Sequence, residues 1–280
     1  MNALELHDLK KIYPGFRLGP LDLTLPSGCI LGLIGENGAG KSTTIRLILD
    51  MVQRDGGSIT LLGQDTQTHL TQLKEEVGVV LDEIGLPSCL NLWQVESIMQ
   101  HTYRNWDRGA FVSLTQKLSL PENKPFKSFS RGMKMKLGIA IALSHHPKLL
   151  ILDEATSGLD PVVRDEIVGM FADFTRDETH SILISSHIVS DLEKLCDYIA
   201  FVHKGQLLLC EEKDRLLEEY GLLHAAPQQL QTLAPDAVKY QKHTPYGIEA
   251  LVRRAAVPPN LPLSPVSIEE LFVFMVKEMS

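Results

Sequence analysis

A glycine-rich loop set between an apolar run and a helical run constrains this chain more than any other feature. Cys29 to Ile34 is short and almost wholly apolar, the composition of a central strand covered on both faces. Lys41 to Met51 then carries Ile45, Ile48 and Leu49 at helical spacing. Between them lies Gly35-Glu36-Asn37-Gly38-Ala39-Gly40-Lys41-Ser42. Gly35, Gly38 and Gly40 let successive backbone N–H groups turn toward an anion, with Asn37 in the same turn, and the helix start adds its positive dipole end. Lys41 suits the β- and γ-phosphates of a nucleotide. The Ser42 hydroxyl suits Mg²⁺, with Thr43 or Thr44 assisting at the phosphates.

Composition bounds the rest. The 280 residues carry a net charge of −8, with a pI near 5.7, which argues against a broad nucleic-acid surface and confines phosphate binding to a local site. Cys29, Cys89, Cys196 and Cys210 form no C-x-x-C pair and read as reduced packing residues. No apolar run approaches membrane-spanning length, and the first five residues have no signal-peptide character, so the expectation is a soluble intracellular protein.

Leu21, Leu23 and Leu25 alternate with polar residues as in a half-buried strand. Ser58 to Leu62 and Val77 to Leu81 are further strand candidates. From about Gly85 to His146 the pattern turns helical, with helices expected over 92–103, 110–118 and 133–143. Buried-strand patterns return at Leu149 to Leu152 and Ser181 to Ile184, followed by a hairpin across Lys204-Gly205. Strands alternating with helices imply an α/β fold with a mostly parallel sheet. Seven of the fifteen prolines fall beyond Gly221, so that end reads as a short, irregular appendage. Ser267 and Glu270 form a potential capping box before an apolar face of Leu271, Phe272 and Met275.

Two further elements carry chemistry. Asp153 and Glu154 follow the apolar run Leu149 to Leu152, where side chains emerge at a sheet edge. There Asp153 would orient Mg²⁺ and Glu154 would polarise an attacking water. By itself such a pair also suits a solvated helix start. The downstream Ser157-Gly158-Leu159-Asp160 shifts the balance toward chemistry. The second element is Phe129-Ser130-Arg131-Gly132-Met133, which opens another helical run.

Phosphate loop, Phe129–Met133 element, acidic pair and Ser157–Asp160 segment, in that order and followed by His187, resemble the ATP-binding cassette (ABC) ATPases over roughly residues 3 to 221. The resemblance implies a P-loop NTPase core with an N-terminal antiparallel β-subdomain, a helical subdomain inserted at about 85–146, and a small C-terminal extension over 222–280. It implies ATP and Mg²⁺ as cofactors. It implies that Tyr13 stacks on adenine, that Ser130 and Gly132 meet the γ-phosphate held by a second cassette, that Asp160 couples two sites, and that His187 senses the γ-phosphate.

Three positions depart from the family pattern, one of them Met133, which stands where a glutamine is common. Arg131 replaces the commoner glycine, and reads either as an added charge near phosphate or as a solvated surface arginine. Asp82 stands where the family usually has a glutamine. A carboxylate there is expected to contact the metal shell, and it adds repulsion beside Asp153 and Glu154.

The function implied is an ATP-hydrolysing subunit of an ABC transporter, resembling bacterial exporter subunits. Its partners would be a second ATPase subunit, as a homodimer, and a separate integral membrane permease docking near 83–92 on the cytoplasmic face of the cell membrane, with no nucleic acid. The first alternative is a soluble ABC ATPase acting as a switch on ribosomes or nucleic acid; a third reading, a small-molecule kinase with a phosphate loop, offers no use for Ser130, Gly132 or His187.

Overall fold

Burial on both faces sets the middle of the largest sheet. The computed structural model describes residues 1–230, 233–234, 237–244 and 247–278. Strands β1 (Asn2–Tyr13) and β2 (Phe16–Pro26) form a hairpin, followed by β3 (Ile30–Ile34), α1 (Lys41–Ile48), β4 (Gly56–Leu61), β5 (Gln64–Asp65), α2 (Thr66–Glu76) and β6 (Val77–Val80). The helices α3 (Leu92–Thr102), α4 (Arg108–Lys117) and α5 (Arg131–Leu143) come next. Then follow β7 (Leu149–Asp153), α6 (Pro161–Phe174), β8 (Ser181–Ser186), α7 (Val189–Leu195), β9 (Tyr198–His203), β10 (Gln206–Glu212) and α8 (Lys213–Glu219). The chain ends with β11 (Tyr220–Ala225), α9 (Pro227–Leu230), β12 (Val238–Thr244), β13 (Gly247–Arg253), β14 (Leu263–Ser264) and α10 (Ile268–Glu278).

The central sheet runs β10-β9-β3-β8-β7-β6, with parallel pairing throughout except for the β9–β10 hairpin. Every residue of β3, β7 and β8 is buried. Successive side chains on such strands point to opposite faces, so each strand feeds two cores. Leu31, Leu33, Leu149, Ile151 and Leu183 join the core beneath α1 and the antiparallel sheet β2-β1-β4-β5. Ile30, Ile34, Leu150, Leu152, Ile182 and Ile184 face the core shared with α5, α6 and α7. The helices start where short polar side chains cap them: Asn91 with Gln94 at α3, Asp107 at α4, Ser130 at α5, and Asp160 with Pro161 at α6.

The structure differs from the sequence reading in three places. Helix α2 has no counterpart in that reading; Asp65 caps it, and its sparse apolar residues leave little helical signature, with Leu73 buried. Cys89 is exposed rather than packed, whereas Cys196 is buried with its thiol pushed up by burial. The C-terminal stretch is not irregular. It forms an antiparallel sheet, β12-β13-β11-β14. One side holds a small core of Leu223, Ala225, Ala250 and Val252. Leu222, Leu251 and Val266, with Ile268, Leu271 and Phe272 of α10, belong to the main core. The Ser267–Glu270 capping box is formed, and the rings of Phe272 and Phe201 lie 5.3 Å apart.

That shared core predicts that Phe272→Ala destabilises the whole molecule by about 3 kcal/mol, the usual cost of emptying a buried aromatic site. Urea unfolding followed by tryptophan fluorescence should show one transition shifted to lower denaturant. A separate low-stability transition, with the main one unmoved, would contradict it.

Candidate functional site

The glycine-rich loop leaves the end of β3 and re-enters the fold at α1. Gly40 occupies the N-cap with φ +115°, a left-handed backbone that excludes most side chains, and no side chain caps the helix. No acidic residue lies in its first turn. The N–H groups and positive dipole end of α1 are therefore left for an outside anion. Gly38, at φ +80°, has open space where a side chain would stand. Gly35 is a glycine for a different reason, since a Cβ there would come within 2.4 Å of the Val202 carbonyl oxygen on β9.

Lys41 is only 5% exposed. Its Nζ donates to the carbonyl oxygens of Gly35 at 2.7 Å and Glu36 at 3.3 Å, and stands 3.5 Å from Glu154 Oε1. A buried ammonium needs such partners, and the carbonyl bonds curl it back over the loop it serves.

Two groups of side chains converge beside it. Ser42 Oγ donates to Asp153 Oδ1 at 3.1 Å, and Ser185 Oγ donates to the same oxygen at 2.6 Å. Ser185 can do so because β7 and β8 are paired with Asp153 opposite Ser185. In the second group, Glu154 has φ +54°, an uncommon backbone for a residue with a side chain and a form of strain that clusters at working sites. Its N–H donates to the Ser185 carbonyl oxygen at 3.1 Å. Its Oε2 accepts from His187 Nδ1 at 2.7 Å, which requires the imidazole proton on that nitrogen because an ionised carboxylate only accepts.

Ser42, Glu154 and His187 of these groups line a cleft of about 710 Å³ together with Asn37, Gly38, Gly40, Lys41 and Thr43. Phe16, Asp82, Arg131 and Ser157 line the same cleft. Ser130 and Gly132 are absent from its walls. Ser130 caps α5, its Oγ accepting from Met133 N–H at 3.2 Å, and is exposed with its own hydroxyl proton free to donate. A Cβ on Gly132 would meet only ordinary contacts, the nearest at 3.7 Å, so nothing within the chain demands glycine there. Asp160 caps α6 by accepting from Val163 N–H at 3.0 Å. Tyr13 lies at the hairpin tip, opposite Phe16, with the Lys11 ammonium 5.4 Å from its ring centroid. The ring that borders the cleft is that of Phe16. Asp82 borders it too, but its Oδ1 is held by Arg131 Nη2 at 2.5 Å rather than by the Ser42–Asp153 group.

Sequence reasoning passed over Ser185 and Phe16, and took Ser157 only as part of the Ser157–Asp160 segment. For Ser185 a signal was present: two serines end an apolar strand immediately before His187. Magnesium fits this corner. Among the described residues no three His, Cys, Asp or Glu side chains are arranged to hold a metal. A hydroxyl and one carboxylate beside a phosphate cradle suit an ion that keeps several waters and takes phosphate oxygens.

The family model described as "ABC transporter" matches residues 18–157. Over 215 residues the chain is 36% identical to the lantibiotic transport ATP-binding protein SrtF of Streptococcus pyogenes, covering 75% of this chain and 91% of that protein. It is 33% identical over 208 residues to the bacitracin transport ATP-binding protein BcrA of Bacillus licheniformis, covering 73% and 68%. Among solved structures, an ATP-binding subunit of an ABC transporter superposes with a TM-score of 0.67 at 26% identity, over 76% of this chain and 91% of that one. A dimeric ATP-binding cassette bound to ADP and phosphate shares the fold, with a TM-score of 0.68 at 20% identity, over 75% and 98%.

Because Ser185 shares the oxygen of Asp153 that Ser42 also contacts, Ser185→Ala should raise the Mg²⁺ concentration needed for half-maximal ATP hydrolysis by about tenfold or more. A magnesium titration at saturating ATP checks this. An unmoved midpoint would remove Ser185 from the site.

Proposed function

The chain belongs to the ABC transporter family as an ATP-binding, ATP-hydrolysing subunit, and from that premise we propose that two copies close head to tail around two ATP molecules to drive a separate membrane permease. The observation that carries this is a division of labour. Lys41, Ser42, Asp153, Glu154 and His187 gather at an uncapped helix start, whereas Ser130 and Gly132, the other phosphate-facing residues, lie off their own cleft.

In this reading residues 1–221 form the cassette, with a helical subdomain at about 85–146, and 222–280 form an extension. Of that extension, residues 231–232, 235–236, 245–246 and 279–280 lie outside the described residues. The loop glycines, Asn37 and Thr43 cradle the phosphates, and Lys41 exchanges its carbonyl partners for phosphate oxygens. Magnesium, held through Ser42 and Asp153, would neutralise charge on the β- and γ-phosphates. Glu154, oriented by His187 and Lys41, accepts a proton from the attacking water. The partner's Ser130 hydroxyl and α5 N–H groups close over the γ-phosphate, and Asp160 couples the two sites. Tyr13 and Phe16, side by side at the hairpin tip, offer an aromatic surface for adenine.

Among the described residues no helix is long and apolar enough to cross a membrane, so transport on this reading requires a separate integral membrane protein. Its docking is placed near 83–92, at the cytoplasmic face. The direction in this reading is export, and the names of SrtF and BcrA, which specify lantibiotic and bacitracin transport, make a peptide antibiotic the first class of cargo to test.

Two predictions follow from these roles. Glu154→Gln should lower ATP hydrolysis by about a hundredfold or more and, with MgATP, shift the protein from monomer to dimer in sedimentation velocity, with the permease supplied. Full hydrolysis in that variant, or persistent monomers, would defeat the reading. Lys41→Ala should abolish ATP-dependent dimerisation in the same assay, because the cleft then loses its buried cation.

A further inference from the structure

Two of the positions that depart from the ABC pattern, Asp82 and Arg131, touch each other. Asp82 and Arg131 are 49 residues apart in the chain, and their side chains form an ion pair at 2.5 Å with each about half exposed. Arg131 also covers a glycine. A Cβ on Gly158 would come within 2.9 Å of Arg131 Nη1 and 3.1 Å of its Cζ, so the flat guanidinium lies directly against the Gly158 backbone. Gly158 has φ +68°, which independently favours that residue. Arg131 thereby connects three segments: the turn after β6, the start of α5, and the Ser157–Asp160 loop that follows Glu154.

Charge explains why the departures occur together. Asp82 without Arg131 would be a further carboxylate on a cleft that Glu36 and Glu154 already line and that must admit a polyanion. Arg131 without Asp82 would be an unpaired cation on the same wall, free to bind phosphate in its own chain. Together they leave the local charge the same as a neutral pair would. An amide and a glycine, the residues more common in the family at these positions, reach that charge without pairing.

We infer that Asp82 and Arg131 act as one positioning unit: Arg131 draws the Asp82 carboxylate away from the metal corner, and Asp82 keeps Arg131 off the phosphates while the guanidinium braces the start of α5 against Gly158. This rests on the ATPase reading above. Half-exposed ion pairs contribute little to stability. The unit should therefore show in nucleotide affinity rather than in folding, a separation that a purely structural contact would not produce.

The test is a double-substitution cycle on the full chain: Asp82→Gln, Arg131→Gly, and both together. Arg131→Gly, which bares the Asp82 carboxylate, should raise the KM for MgATP by about fivefold or more, and Asp82→Gln, which frees the guanidinium toward phosphate, should lower it, while the thermal midpoint of each moves by no more than about 2 °C. The double variant should return to within about threefold of the unsubstituted protein, because it leaves neither a bare carboxylate nor a freed cation on the cleft wall. Arg131→Lys, which keeps the charge and loses the flat face, should fall between the unsubstituted protein and Arg131→Gly. Raising ionic strength should increase KM more for the unsubstituted protein than for the double variant. KM shifts of the two single variants in the same direction, single variants indistinguishable from the parent, or Arg131→Lys no better than Arg131→Gly would each overturn the unit. Absence of ATP hydrolysis in the unsubstituted protein would instead overturn the proposed function, so the two failures are distinct.

Discussion

A helix that begins with a lysine and has no cap holds an electrostatic imbalance that the rest of the site is arranged around. Helix α1 starts at Lys41, with neither a capping side chain nor an acid in its first turn, so the ammonium sits at the positive end of the dipole. The loop carbonyls and Glu154 offset that charge from within the chain. They can do so only because β7 delivers Asp153 and Glu154 to the same sheet edge. Between β3, which launches the loop, and β7 lies β8, and Ser185 on β8 spans the gap by bonding Asp153. Sheet order thus determines which side chains share the site, and burial on both faces holds that order.

Strain and packing extend the dependence outward. Glu154 is held at positive φ by hydrogen bonds to β8, so its carboxylate leaves the strand toward Lys41 and His187 instead of continuing the ladder. His187 precedes α7, and α7 packs against α10 at the far end of the chain. The C-terminal sheet is consequently more than an attachment. Its apolar residues are shared with the core beneath the elements that carry Glu154 and His187.

Asp82 and Arg131 illustrate how two unusual residues can cancel. Each departs from the family pattern, and each by itself disturbs the charge of a cleft built for a polyanion. Their contact across the cleft wall removes both disturbances and ties the turn after β6 to the start of α5.

What the sequence determined by itself was everything carried by short-range pattern. The phosphate loop, the apolar strands before it and before Asp153, the helices after Gly85 and the β9–β10 hairpin were legible because backbone hydrogen bonding and side-chain periodicity are local. The placing of Lys41 and Ser42 at a helix start, and of Asp153 and Glu154 at the end of an apolar strand, was legible for the same reason, since each pair lies within its own short run of chain. Tertiary structure alone decided what depended on contacts between distant segments. The C-terminal strands, broken by prolines and weak in pattern, became a sheet only through pairing with one another and through sharing the main core. Ser185 entered the site through its register with Asp153, and Arg131 found Asp82 instead of solvent or phosphate. No local propensity encodes such meetings, because their energy comes from burial and charge between groups that the chain brings together only after it has folded.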